Sequence, residues 1–175
     1  MKIKINSILL VFIFLFFFIQ KSVAEDLKIV FVDMDKIISS SNAGKKVQSS
    51  MDKFAKKEND KFDSIESNLK KKEQEILKQK NIISKEELDK KVKSFQTELS
   101  KLRKEKIEFN RSIIKRNQEA TNKMVNEINK ILTQYASDNS VSLIIQKKNI
   151  IIGKTELDIT PQILKEFNSK VKSID

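Results

Sequence analysis

The sequence contains no cysteine and no histidine, and its 175 residues include only two glycines and one proline. The first two absences exclude disulfides, thiolate nucleophiles, imidazole bases and Cys/His metal sites. Glycine is too scarce to build a phosphate-cradling loop and no Walker A pattern occurs, so the residues give no sign of an ATP-driven mechanism. Neither Gly nor Pro lies between Gly44 and Gly153. No strong backbone breaker therefore interrupts that stretch.

What is present is charge: 34% of the residues are charged, a profile that belongs to long helices and coiled coils. The spacing predicts two helices, Lys45 to Lys80 and Lys85 to Asp138, folded back at Asn81-Ile82-Ile83-Ser84 into an arm spanning 45–138. At 1.5 Å per residue they would be roughly 54 and 81 Å long. Ser84 and Glu87 have the capping-box spacing, and Ile83 and Leu88 stand where a hydrophobic staple would close. On the first helix, Val47, Met51, Phe54, Phe62, Ile65, Leu69 and Ile76 form a seam with lapses at Glu58 and Glu73. On the second, Leu88, Val92, Phe95, Leu99, Leu102, Phe109 and Ile113 form a heptad seam with one lapse at Lys106. Such narrow stripes bury against one partner helix, and equal distances from the turn bring Phe54 near Phe109 and Leu69 near Phe95. A second apolar row, Ile107, Ile114, Val125 and Leu132, predicts wider burial at the root of the second helix. The outer half of the arm is left on one thin seam, where local opening is expected.

Residues 1–24 read as a secretion signal. Lys2 and Lys4 give a basic start, Ile8 to Ile19 is an unbroken apolar run, and Ser22-Val23-Ala24 sets small residues for cleavage after Ala24. The run is shorter than the roughly 20 apolar residues of a membrane span. With no cysteine near the cleavage site, a lipid anchor is not expected, and the mature chain is expected in the periplasm. Residues 45–138 hold 24 Lys/Arg and 16 Asp/Glu, a net of +8, whereas the rest of the mature chain is balanced at 8 and 8.

The flanking segments 25–44 and 139–175 read as one small β-rich body. Leu27 to Asp33 predicts a buried strand, and Asp35 to Ser40 a short helix; Ser41 or Asn42 would cap the long helix. Val141 to Gln146 and Asn149 to Ile152 predict two strands joined as a hairpin through Lys147-Lys148, with a further edge pairing at Asp158-Ile159. Thr160-Pro161 predicts a helix start, with the Thr hydroxyl as N-cap and Pro at N1. The fold class is therefore mostly α with a small β part: a long antiparallel helical hairpin projecting from an α+β body. Three or four short strands expose edges, and Ile29, Phe31, Leu143, Ile145, Ile150 and Ile152 are candidates for a core completed by oligomerisation.

The ends of the chain carry a family likeness. Lys28-Ile29-Val30-Phe31-Val32-Asp33-Met34, Ser41-Asn42-Ala43-Gly44-Lys45-Lys46, Leu143-Ile144-Ile145, Ile150-Ile151-Ile152 and Asp158-Ile159-Thr160-Pro161-Gln162-Ile163-Leu164 together resemble the Skp/OmpH family of periplasmic chaperones. The resemblance covers the whole mature chain in order. It implies a homotrimer whose helical hairpins hang from a β-barrel-like body and hold unfolded outer-membrane proteins between them without ATP. Three arms would bring roughly +24 around one space, enough to steer acidic chains. The family has no catalytic residues to carry over, and its proposed lipopolysaccharide contact finds no distinct motif here.

Candidate client contacts lie on the distal arm. Lys70, Lys71, Lys72, Lys78, Lys80, Lys85, Lys90, Lys91 and Lys93 give the basic surface. Ile76, Leu77, Ile82 and Ile83 cluster at the tip, where they either meet clients or staple the turn. The same basic surface suits anionic lipid head groups. A specific nucleic-acid role is not expected, because the arm has neither a recognised motif nor stacking aromatics. The carboxylates lie among lysines on helical faces, as in Lys71-Lys72-Glu73, and acid/base catalysis would need two of them converging in a pocket. Asp33 and Asp35 suit turn and cap duty better than metal binding. No enzyme and no cofactor are expected. The rival reading is a structural coiled-coil spacer with one defined partner.

Overall fold

The computed structural model describes residues 27–174; the secretion-signal reading of residues 1–24 lies outside them. In chain order come β1 (Ile29–Val32), α1 (Met34–Ser40), α2 (Asn42–Gln79), α3 (Lys85–Asp138), β2 (Leu143–Gln146), two 3-10 turns (Lys147–Asn149 and Thr155–Leu157) and α4 (Thr160–Lys170). Helices α2 and α3 form the arm, and the other elements gather at its root. Among the described residues no helix is long and apolar enough to cross a membrane.

Local chemistry fixes the ends of each helix. Asp33 caps α1, its carboxylate accepting from Lys36 N at 2.9 Å. Ser41 caps α2, its hydroxyl accepting from Gly44 N at 3.0 Å and donating to the Ile38 carbonyl at 3.3 Å. Ser84 caps α3 by accepting from Glu87 N. The α2 helix begins three residues before the expected Lys45 because α1 and α2 pack there: Gly44 lies inside the first turn, and a Cβ on it would meet the Ile38 carbonyl.

The body differs from expectation in its strands. Only two are present among the described residues, and they run parallel, with Ile29 opposite Leu143 and Val32 opposite Gln146. Parallel neighbours need a long crossover, and here the crossover contains the whole arm. The expected hairpin between 141–146 and 149–152 does not form. Lys147–Asn149 instead wind into a 3-10 turn, and the following isoleucines have no strand opposite them among the described residues. The return to the sheet comes later. Asp158 bridges to Phe31 in parallel sense, and Ile159 N donates to the Phe31 carbonyl at 2.9 Å. Thr160 is not the N-cap of the last helix; that position belongs to Ile159. The Thr160 hydroxyl is buried and accepts from Asp33 N at 2.8 Å, tying the helix to the end of β1.

Alternation along the strands puts Val30 and Val32 on the inner face. They pack with Ile37, Ala43, Met124, Ile128, Ile131, Ile159, Ile163 and Phe167 into the main core. That core joins β1, α1, the root of α3 and α4, so the arm grows out of the body rather than being attached to its surface.

Candidate functional site: the arm and the open face of the body

A second, smaller core runs along the arm. Phe62, Leu69 and Leu102 are buried, with Ile65, Phe95, Leu99 and Phe109 packed against them. The Phe109 ring stands 5.7 Å from Phe54 and 5.6 Å from Phe62, centroid to centroid. Lys106 does not simply interrupt this seam. Its stem crosses the apolar stripe, its ammonium lies 5.7 Å from the Phe62 centroid and pairs with Glu66 at 2.6 Å. Arg116 lies over Phe54 at 4.6 Å. Farther out, Lys72 pairs with Glu98 at 2.6 Å, and Lys91 donates to the Gln79 side chain. The hydrogen bond from Lys72 holds the Glu98 carboxyl below its ordinary range.

Beyond Leu69 no residue of either helix is fully buried until the chain has turned and reached Leu102. The outer arm is thus held by half-buried side chains and exposed polar contacts, which individually stabilise little. At the tip, Leu77 and Ile82 are 65% and 81% exposed, whereas Ile76 and Ile83 are half-buried. Of the candidate lysines, Lys72 and Lys91 are engaged across the arm. Lys70, Lys71, Lys78, Lys80, Lys85, Lys90 and Lys93 are exposed and have no ion-pair partner among the described residues. The apolar row expected to pack at the root of the second helix splits in two. Leu132 packs on the main core and Val125 is half-buried, but Ile107 and Ile114 are 52% and 67% exposed. Neither lines the groove that α1 and the sheet form against α3, which on that helix is lined by Thr121 and later residues.

At the body, the six candidate oligomer-core residues lie mainly on the face of the sheet turned from the core. Phe31 is buried, with the chain at Gly153 lying against its ring. Ile29 and Leu143 are 41% and 51% exposed, Ile145 and Ile150 are half-buried, and Ile152 is 90% exposed. Sequence reasoning missed Ile151, which is fully exposed; the uninterrupted Ile150-Ile151-Ile152 run was the signal for it. Asp158 locks this side of the body. Burial alone would raise its carboxyl, but hydrogen bonds from the Thr160 hydroxyl and amide and from Lys147 outweigh it, so the pKa lies below the ordinary value. No group of three or more potential metal-ligating side chains occurs among the described residues.

The architecture is a long helical hairpin on a small α+β root, and known proteins share it. The crystal structure of a candidate outer membrane chaperone (OmpH-like) from Caulobacter crescentus CB15 superposes with a TM-score of 0.79. The match covers 85% of this chain and 88% of that one at 14% identity, so it speaks for the fold. Comparison with curated proteins finds no match. Residues 28–167 match the family described as "Outer membrane protein (OmpH-like)". The chain belongs to the OmpH-like family.

Proposed function

We propose that this protein is an ATP-independent holdase that binds unfolded outer-membrane β-barrel proteins in the periplasm and passes them on for assembly. The observation that carries this reading is the division of labour within the chain. The arm holds the whole net charge, +8, of the chain from Glu25 onward, and its outer half has no fully buried side chain between Leu69 and Leu102. A flexible basic arm binds through many weak contacts and does not impose one geometry on its client.

The working form is a homotrimer. The family likeness implies it, and the body supports it: the second face of the two-stranded sheet is apolar, and Ile151 and Ile152 are 100% and 90% exposed. A short open sheet and an apolar face of this kind are covered by protein in soluble assemblies. Three arms around one space would enclose a client. The chemistry is binding and release only, with no catalytic step.

Light scattering of the chain from Glu25 onward, alone and with one urea-diluted outer-membrane β-barrel protein, tests this reading. A trimer that suppresses aggregation without nucleotide is the expected result. A monodisperse monomer without that effect would overturn it, and binding to one folded partner only would favour a coiled-coil spacer.

A further inference from the structure

The chain has three arginines, Arg103, Arg111 and Arg116, all in the middle of α3. Arg116 is spent on the Phe54 ring. Arg103 and Arg111 are exposed and have no ion-pair partner among the described residues, although Lys101, Lys106 and Lys115 on neighbouring faces pair with Glu105, Glu66 and Glu119. Steps of four, four and three residues place Arg103, Ile107, Arg111 and Ile114 on one flank of the helix. The same flank continues through Val125 and Leu132, which line a groove against α1 and the sheet. One strip therefore begins in an apolar groove at the body and runs out along the arm as exposed isoleucines set between unpaired arginines.

We propose that the strip Arg103–Ile107–Arg111–Ile114 is the principal resting place for an unfolded polypeptide, specifically for segments in which apolar and acidic side chains alternate. The proposal rests on the holdase reading and gives its contact surface. Isoleucine supplies apolar area. Arginine supplies a planar, weakly hydrated fork that grips a carboxylate through two parallel hydrogen bonds, which a lysine cannot do. From Arg103 to Ile114 the strip is about 17 Å long, the length of about five extended residues. The arm of a second copy is a poorer occupant, because each arm carries a net +8 and is repelled as a whole by Arg103 and Arg111. An acidic, apolar segment meets both halves of the pattern.

The test compares three double variants of the secreted form: I107S/I114S, R103Q/R111Q and the charge-matched K101Q/K115Q on another face. All six positions are solvent-facing, so folding should survive, and circular dichroism with light scattering verifies it. The probes are two labelled peptides, one alternating valine with glutamate and one alternating valine with lysine. The β-barrel protein of the preceding section serves as a third. The strip predicts at least tenfold preference for the acidic peptide, at least tenfold loss of that binding in the first two variants, and a change under twofold in K101Q/K115Q. Equal loss in R103Q/R111Q and K101Q/K115Q would reduce the effect to net charge and overturn the proposal. So would wild-type binding by the strip variants, or a change in their oligomeric mass, which would make the strip a contact between copies. A wild-type protein that fails to hold the β-barrel protein at all would instead overturn the holdase reading itself.

Discussion

Gly44 and Ile38 meet with no room for a methyl group: a Cβ built on Gly44 would lie 1.7 Å from the Ile38 carbonyl oxygen. The backbone φ of Gly44 is not positive, so the need for glycine comes from contact rather than conformation. This contact lets α1 fold down on the first turn of α2, where the Ser41 hydroxyl serves both helices.

Gly44→Ala should therefore destabilise the body by about 3 kcal/mol or more, the upper range for overpacking, because the atom it strikes is backbone and cannot rotate away. Urea denaturation followed by circular dichroism measures it. A loss below about 1 kcal/mol, the size of an ordinary glycine-to-alanine effect, would mean that the α1–α2 contact is easily relaxed.

Asp158 sets an acid limit on the body. Its folded pKa lies below the ordinary carboxylate value through Thr160 and Lys147, despite burial. A depressed pKa means that the unfolded chain takes up the proton first as pH falls. The stabilisation is thus complete above about pH 4, the unfolded aspartate value, and is lost as pH drops through the lower folded value. Asp158→Asn should cost about 1.5 kcal/mol at neutral pH, the low end for hydrogen bonds to a charged group. It should also flatten the stability profile below about pH 4. Thermal melts between pH 3 and 7 on both proteins check this; an unchanged acid slope in the variant would assign the slope to other carboxylates.

Phe109 joins two rings that sit eight residues apart on α2, so it is the keystone of the arm's seam on the root side of Leu69 and Leu102. Phe109→Ala should cost about 2 kcal/mol, less than for a fully buried ring because Phe109 keeps some exposure. The loss should appear in the arm and leave the body intact. Hydrogen exchange should already be faster at 65–100 than at 120–135 in the native protein, and the variant should widen that difference. Equal protection of the two segments would remove the basis for a flexible outer arm.

The arm was legible in the sequence because its signals are local: a 3.6-residue apolar period, serine caps at both helix starts and no breaker in between. The face pairing followed from counting back from the turn, which is how Phe54 came opposite Phe109. The body was less legible. Ile150-Ile151-Ile152 has the composition of a strand, but composition does not choose a partner, and β2 is paired with β1 from the far end of the chain. Thr160 likewise had the right chemistry for a cap, yet its hydroxyl bonds Asp33, 127 positions away. At the site, Ile107 and Ile114 carried a helix-face pattern that reads as burial; only the fold shows that no described residue covers them.

Charge should govern how fast a client arrives more than how long it stays. The net +8 of each arm, gathered to roughly +24 in the proposed trimer, would produce a field that draws in acidic chains. Salt screens that field: the Debye length is about 10 Å at 0.1 M and shorter above it. Once the client lies against the isoleucines, the contacts are short-range and partly desolvated, and screening reaches them weakly. Stopped-flow mixing with an acidic unfolded β-barrel protein should therefore show an association rate falling at least tenfold between about 20 and about 300 mM salt. The dissociation rate should change by less than about threefold, as expected where charge acts on encounter. If the salt dependence fell on dissociation instead, ion pairs rather than apolar contacts would be holding the client, and the isoleucines of the strip would be bystanders to Arg103 and Arg111.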